Sequence, residues 1–107
     1  MDAFHLTTSV REGVVTVAVT GELDLASREL LRDHLFELMD GAARPGRIVL
    51  ELGALTFIDA AGLGALVAVH ERARQREALL TLAGVPPMTA RLIRVTGLDR
   101  HFRAPSG

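Results

Sequence analysis

The sequence predicts an α/β fold in which a mixed, largely parallel sheet of about five strands packs with about three or four helices. Short β-branched or apolar segments alternate along the chain with longer segments in which apolar residues recur at helical spacing. This alternation implies crossover connections, which join parallel strands. The length of 107 residues fits a single domain over residues 1–107, with its core at about residues 4–103.

The first two strands are expected to form a hairpin. Residues 4–10 alternate apolar with polar or small side chains, and residues 14–19 form a β-branched run. Between them lies Arg11-Glu12-Gly13, which is typical of a tight turn. The second strand is expected to end at Gly21-Glu22-Leu23-Asp24.

A first helix follows this hairpin. From Ser27 onward the spacing of apolar residues becomes helical. We expect Ser27 to cap the start of the helix and Gly41 to take the left-handed conformation after its end. One face of this helix carries the apolar residues Leu31, Leu35, Leu38 and Met39.

The middle of the chain predicts a central strand and a second helix. Residues 47–52 are an apolar run of the kind that is buried on both faces of a sheet. Asp59 occupies a helix-cap position, and residues 60–76 are expected to form the second helix.

The last part of the chain predicts a strand, a helix and a further strand. Residues 79–83 are apolar and short, as a strand requires. A third helix is expected to begin after Pro86-Pro87, to run to about Thr96 and to stop at Gly97. A final short strand is expected near residues 101–103.

Composition and charge exclude several classes of function. Apolar residues make up 49% of the chain, which is enough for one core. The 12 basic and 13 acidic residues are scattered and give a net charge of −1, so no footprint for nucleic acid or for an anionic membrane is expected. The absence of cysteine excludes disulfides, thiolate metal sites and a cysteine nucleophile. No signal-like start or membrane-length apolar run is present, which predicts a cytoplasmic protein without membrane insertion.

The first half of the second helix is unusual because residues 60–69 carry no charge on any face, whereas residues 71–77 are highly charged. A helix packed on a sheet buries one stripe, so its opposite stripe of Gly and Ala would offer a flat apolar surface to a partner. The alternative is that loops cover this surface, or that Gly62 and Gly64 serve tight packing on the sheet.

Catalysis has little support in the sequence. The four histidines, at positions 5, 34, 70 and 101, occur singly, without the spacing of a metal site or of a base beside a nucleophile. Gly62 and Gly64 lack the residues that complete a phosphate-binding loop or a dinucleotide fingerprint. We therefore expect no enzyme activity, no catalytic residue, no metal site and no cofactor.

Several motifs together resemble the STAS domain family, in particular its anti-sigma factor antagonists, over nearly the whole chain. The matching segments are residues 21–24, 48–52, 57–64, 85–87 and 95–98. In such antagonists the residue after the motif Asp is usually a Ser, which an anti-sigma factor of the serine kinase type phosphorylates. The resemblance implies that the unphosphorylated protein captures this anti-sigma factor and so releases a sigma factor, with a PP2C-type phosphatase as a further candidate member of the pathway.

The chain departs from this pattern at the phosphoacceptor position itself. Ala60 follows Asp59 and is followed by Ala61, so no hydroxyl is available there. We expect either constitutive binding or regulation through another site or through abundance, and an engineered Ser-to-Ala change would look identical. Thr56 is a candidate substitute acceptor, and its alternative role is a strand-end hydroxyl bonded to the backbone.

The resemblance and the apolar helix start together predict a partner-binding surface. Asp59 also has a structural role as a helix cap, and Asp24 as a turn residue. The expected surface comprises Asp24, Thr56, Asp59, Ala60, Ala61, Gly62, Leu63, Gly64 and Val67.

Two other functions of a STAS domain would use a similar helix surface. One is a subunit of a membrane transport system, and the other is a scaffold of a larger signalling assembly. The sequence does not fix the oligomeric state, which would separate a scaffold from a small switch.

Overall fold

The strands lie side by side in the sheet in the same order as along the chain. The computed structural model describes residues 3–42 and 44–102. The elements are β1 His5–Arg11, β2 Val14–Leu23, α1 Arg28–Asp40, β3 Arg47–Ile58, α2 Ala60–Gln75, β4 Leu79–Ala83, α3 Pro87–Val95 and α4 Asp99–Phe102. The strand order in the sheet is β1-β2-β3-β4, with β1 antiparallel to β2 and the other neighbours parallel.

The hairpin of β1 and β2 is confirmed. Arg11 pairs with Val14, which leaves Glu12 and Gly13 as the two central residues of the turn. Both have positive φ, 53° and 80°, as a type I′ hairpin turn requires.

Both major helices lie on the same face of the sheet. Each crossover, through α1 and then α2, steps to the next strand in the same direction, and right-handed crossovers then place their helices on one side. Side chains on β2 accordingly alternate between buried and half-buried. Because the two large helices cover only one face, the expectation that residues 47–52 are buried on both faces is wrong. Ile48 and Leu50 are buried, whereas Val49 is half-buried.

The core fills the space between the sheet and these helices. Apolar residues of β2 and β3 that are less than one tenth exposed pack against three such residues of α1 and five of α2. The contributions from the helices are Leu31, Leu35, Met39, Leu63, Ala65, Leu66, Val69 and Ala73. No helix of the described residues is long and apolar enough to cross a membrane.

The α/β fold class is confirmed, but the expected fifth strand is wrong. The part of the chain that the structure describes contains four strands and four helices. Gly97 ends α3 with a φ of 74°, as expected, and the chain then turns into α4. Phe102 lies against His70 of α2, with ring centroids 5.4 Å apart, so residues 101 and 102 belong to a helix packed on a helix. Arg103, the last residue of the predicted strand, lies outside the described residues.

The predictions for the ends of α1 are right in part. Ser27 is the N-cap residue, as predicted, but its side chain makes no cap hydrogen bond with α1, because its hydroxyl donates to the Glu22 carbonyl at 2.7 Å. Gly41 has a φ of −77° and is extended, so α1 ends without a left-handed residue at this position.

Candidate functional site

The candidate site lies where β2 and β3 end and α2 begins. Because β2 and β3 are parallel, their carboxyl ends meet at the same edge of the sheet, and Leu23 pairs with Ile58 there. This edge brings the loop after β2 to the first turn of α2. We call this region the partner corner, defined by Asp24, Thr56, Asp59, Ala60, Ala61, Gly64 and Val67.

Asp59 connects the two segments of the corner. Its Oδ1 accepts a hydrogen bond from the Gly62 backbone N–H at 2.8 Å, which confirms the predicted helix cap. Its Oδ2 accepts from the Leu25 N–H at 3.3 Å, and its own N–H donates to the Leu23 carbonyl at 3.3 Å. One side chain therefore fixes both the loop after β2 and the start of α2.

Asp24 organises the loop from its other side. Its Oδ1 accepts from the N–H groups of Ala26 at 3.0 Å and Ser27 at 3.2 Å, and it lies 3.1 Å from the Ser27 hydroxyl oxygen. These bonds confirm Asp24 as a turn residue. Two carboxylates thus hold the loop: Asp59 binds the Leu25 N–H, and Asp24 binds the next two N–H groups.

The two glycines at the start of α2 have different roles. A Cβ on Gly62 would lie 2.2 Å from the Leu23 carbonyl oxygen, so the helix reaches the end of β2 because this residue has no side chain. A Cβ on Gly64 would meet nothing within 4 Å, and Gly64 is exposed. Gly62 therefore serves tight packing, which was one alternative left open by the sequence, whereas Gly64 is exposed and the docking surface stays a prediction. Gly62 and the neighbouring Leu63 are buried and support the corner from beneath.

The exposed side of the helix start forms a shallow cleft beside α1. Its volume is about 280 Å³, and its floor consists of small uncharged residues. Arg28 and Arg32 of α1 line its other side, and Arg32 is partly neutralised by Asp33 at 3.2 Å. Small side chains let the backbone of a partner come close. The floor comprises Ala60, Ala61, Gly64, Ala65 and Ala68.

Phe57 and Met88 are exposed apolar residues beside the corner that sequence reasoning missed. Phe57 is 50% exposed and Met88 is 76% exposed, and with the exposed Thr56 they line a groove of about 410 Å³. The register of β3 against β2 shifts twice, and β3 has one extra residue at each shift. Such bulges disturb the alternation of faces, so simple alternation along β3 does not reveal the exposure of Phe57.

A second cluster lies near the other end of α2. His70 and Glu71 of α2 and His101 of α4 each offer a ligand atom within 4.8 Å of the others. Burial lowers the pKa of His70, and repulsion from His101 acts in the same direction. The sequence interpretation that the histidines occur singly is wrong for this pair, because the fold of α4 brings together residues that are far apart in sequence.

Comparisons with known proteins identify the family. The chain matches the family model described as STAS domain over residues 5–105. It is 30% identical to the anti-sigma-F factor antagonist RsfB of Mycobacterium tuberculosis, over 95% of this chain and 81% of that protein. The crystal structure of an anti-sigma factor antagonist from Mycobacterium paratuberculosis superposes with a TM-score of 0.81 at 28% identity, covering 97% of this chain and 87% of that one. The chain belongs to the STAS domain family, as its motifs predicted.

The same fold also occurs in a protein of another functional class. A sulfate transporter family protein from Wolinella succinogenes superposes with a TM-score of 0.73 at 23% identity, covering 89% of this chain and 75% of that one. This likeness concerns the fold alone. Fold by itself therefore does not separate the antagonist from the transport alternative, whereas the relatives of higher identity described above are anti-sigma factor antagonists.

Replacing Gly62 with Ala is expected to destabilise the protein, because the new Cβ would collide with the Leu23 carbonyl. Overpacking of this kind costs about 1–3 kcal/mol of unfolding free energy. The matched control is Gly64→Ala, which has open space and gains up to about 1 kcal/mol from helix propensity. Urea denaturation of both variants measures the difference. Equal stabilities would contradict the close approach of α2 to β2.

Replacing Asp59 with Ala is expected to lower the free energy of unfolding by about 0.5–2 kcal/mol through loss of the cap. Asp59→Asn keeps an oxygen acceptor for the Gly62 N–H, and Asn is as good a cap residue as Asp. We therefore expect Asn to retain most of the stability in the same urea experiment. An Asn variant as unstable as the Ala variant would show that the bond from the Leu25 N–H, which the Asn amide nitrogen cannot accept, or the charge of Asp59 matters more than the bond to Gly62.

Proposed function

We propose that this protein is an anti-sigma factor antagonist that binds an anti-sigma factor of the serine kinase type through the partner corner and so releases a sigma factor for transcription. The observation that carries the proposal is the exposed, uncharged start of α2 beside a loop fixed by Asp59. The 30% identity to the anti-sigma-F factor antagonist RsfB, over 95% of this chain, supports an anti-sigma factor as the partner.

The corner suits protein binding because it is both accessible and already ordered. Backbone N–H groups of the loop after β2 are held by Asp24 and Asp59, so little conformational entropy remains to be lost on association. The small side chains at Ala61 and Gly64 add little bulk between the helix and a partner. The exposed apolar side chains of Leu25 and Phe57 extend the surface on either side.

Gly62 and Leu63 have an indirect role in this proposal. Both are buried, and Leu63 is 4% exposed. They determine where the first turn of α2 lies and make no contact with the partner themselves. The direct contacts are assigned to the residues of the partner corner.

The proposal includes the loss of a phosphorylation switch at Ala60. Ala60 is exposed and is the first residue of α2, next to the cap Asp59. A phosphate at this position would add about −1.5 to −2 charges beside the Asp59 carboxylate and would disrupt a docked partner. With a methyl group there, binding is constitutive or is controlled elsewhere, and a PP2C-type phosphatase has no phosphoserine to act on at this position. Thr56 is exposed at the end of β3 and is the alternative acceptor.

Replacing Ala61 with Asp is expected to weaken binding of the cognate anti-sigma factor by at least about ten-fold, or about 1.4 kcal/mol, because it places a bulkier, charged side chain on the floor of small residues where the partner docks. Ala42→Asp is the matched control, since Ala42 is exposed after the end of α1, at the opposite end of that helix from the corner. Calorimetric titration with each kinase-type anti-sigma factor of the same genome gives the affinities.

Circular dichroism of both variants shows whether the fold is retained. Unchanged affinity of a folded Ala61→Asp variant would rule out the corner as the contact surface. If the unaltered chain binds none of these kinases, the antagonist function itself is wrong, and the transport and scaffold alternatives are then distinguished by light scattering and by binding to a permease component.

Replacing Ala60 with Ser is expected to restore phosphorylation by the partner kinase in the presence of ATP. Intact-mass spectrometry should show one added phosphate on this variant and none on the unaltered chain. Ala61→Ser is the control, because it introduces a hydroxyl one residue further along α2. Phosphate on the unaltered chain would reveal another acceptor, and Thr56→Val then tests whether Thr56 is that residue.

A further inference from the structure

The cluster of His70, Glu71 and His101 has no role in the partner corner. The Nδ1 of His101 lies 3.6 Å from Oε1 of Glu71. The two imidazole rings meet edge to face, with centroids 6.0 Å apart and planes at 89°. Two imidazoles and one carboxylate, from two helices, thus lie with their ligand atoms within 4.8 Å of one another.

His70 also carries an unsatisfied polar atom. Its Nδ1 is buried and has no hydrogen-bond partner among residues 3–42 and 44–102. Leaving a buried polar atom unpaired costs about 1–3 kcal/mol, so a group that bonds to it would stabilise the fold.

We propose that His70, Glu71 and His101 form a binding site for a divalent transition metal ion of the zinc type. Two imidazole nitrogens and one carboxylate oxygen are the protein ligands of many zinc sites with an open fourth position. Imidazole suits zinc, copper and nickel, whereas magnesium and calcium prefer oxygen ligands. The donor set therefore selects a transition metal over these harder cations.

The surroundings of the cluster permit an ion to enter and be held. The three residues line a cleft of about 420 Å³, which leaves room for water as the fourth ligand. Arg74 Nε lies 3.9 Å from Oε2 of Glu71, the carboxylate oxygen other than the one nearest His101. Arg74 can therefore orient the carboxylate without occupying the ligand oxygen. Arg74 and Arg100 also repel a cation, so the site binds more weakly than a closed structural zinc site.

Small side-chain rotations would bring the three ligand atoms to the spacing that a tetrahedral metal ion requires. Ligand atoms about 2 Å from a tetrahedral ion lie about 3.3 Å from one another, compared with up to 4.8 Å in the cluster. His101 and Glu71 are partly exposed, with side chains 37% and 41% accessible, so rotation of their side chains can close this gap.

A bound ion would fasten α4 to α2. α4 has four residues and is too short to be stable as an isolated helix. His70 lies ten residues after Ala60, which corresponds to about 15 Å along the helix. The metal site and the partner corner are therefore separate, and the failure of one proposal leaves the other standing.

The test is a titration of the full chain with Zn²⁺ in competition with a chromophoric zinc chelator. We expect one ion per chain for the unaltered protein. His101→Ala and Glu71→Gln should each weaken binding by at least about ten-fold, because even loss of a residue that supports a ligand costs that much. His5→Ala is the matched control and should leave binding unchanged, since His5 is exposed on β1.

Thermal unfolding and Co²⁺ absorption give independent readouts. Zn²⁺ should raise the Tm of the unaltered chain and of His5→Ala, and should leave that of His101→Ala unchanged. Co²⁺ should produce the intense visible bands of a four-coordinate site in the unaltered chain and lose them in His101→Ala. Absence of Zn²⁺ binding, or equal binding by His101→Ala, would overturn the proposal.

Discussion

The contact between the first turn of α2 and the end of β2 is the constraint on which the rest of the structure depends. Gly62 permits the backbones to meet, and Asp59 holds them with hydrogen bonds to Gly62 and Leu25. Once α2 is fixed at this point, Leu66 and Val69 are carried over the sheet, where both are fully buried. A single tight contact therefore sets both the packing of the core and the geometry of the exposed corner.

The two halves of α2 have separate tasks. Its first turns carry no charge and present small residues such as Ala61 and Gly64, which suit contact with another protein. Its second half carries charged residues and ion pairs, including Arg72 with Asp40 of α1 at 2.9 Å. Polar contacts at this end orient α2 against α1. The residues that anchor the helix are therefore different from those that the proposed function assigns to partner binding.

Local patterns in the sequence predicted most of the features that depend on neighbouring residues, although the Ser27 side-chain bond and the left-handed Gly41 were wrong. The cap at Asp59, the turn at Gly13 and the stop at Gly97 each follow from the chemistry of one or two positions. Features that depend on distant contacts were missed. Phe57 is exposed because β3 bulges against β2, and His101 reaches α2 because the chain folds back after α3. No periodicity within either segment encodes those contacts.

Every neighbouring pair of strands in the sheet is also consecutive along the chain. The parallel pairs nevertheless join residues that are distant along the chain, since Leu23 pairs with Ile58 across the whole of α1. The partner corner has the same property, because the Asp59 carboxylate bonds to Leu25, 34 residues earlier. The corner therefore takes its shape only when α2 is docked against the loop after β2. A partner that bound the corner as proposed would therefore recognise only the folded chain.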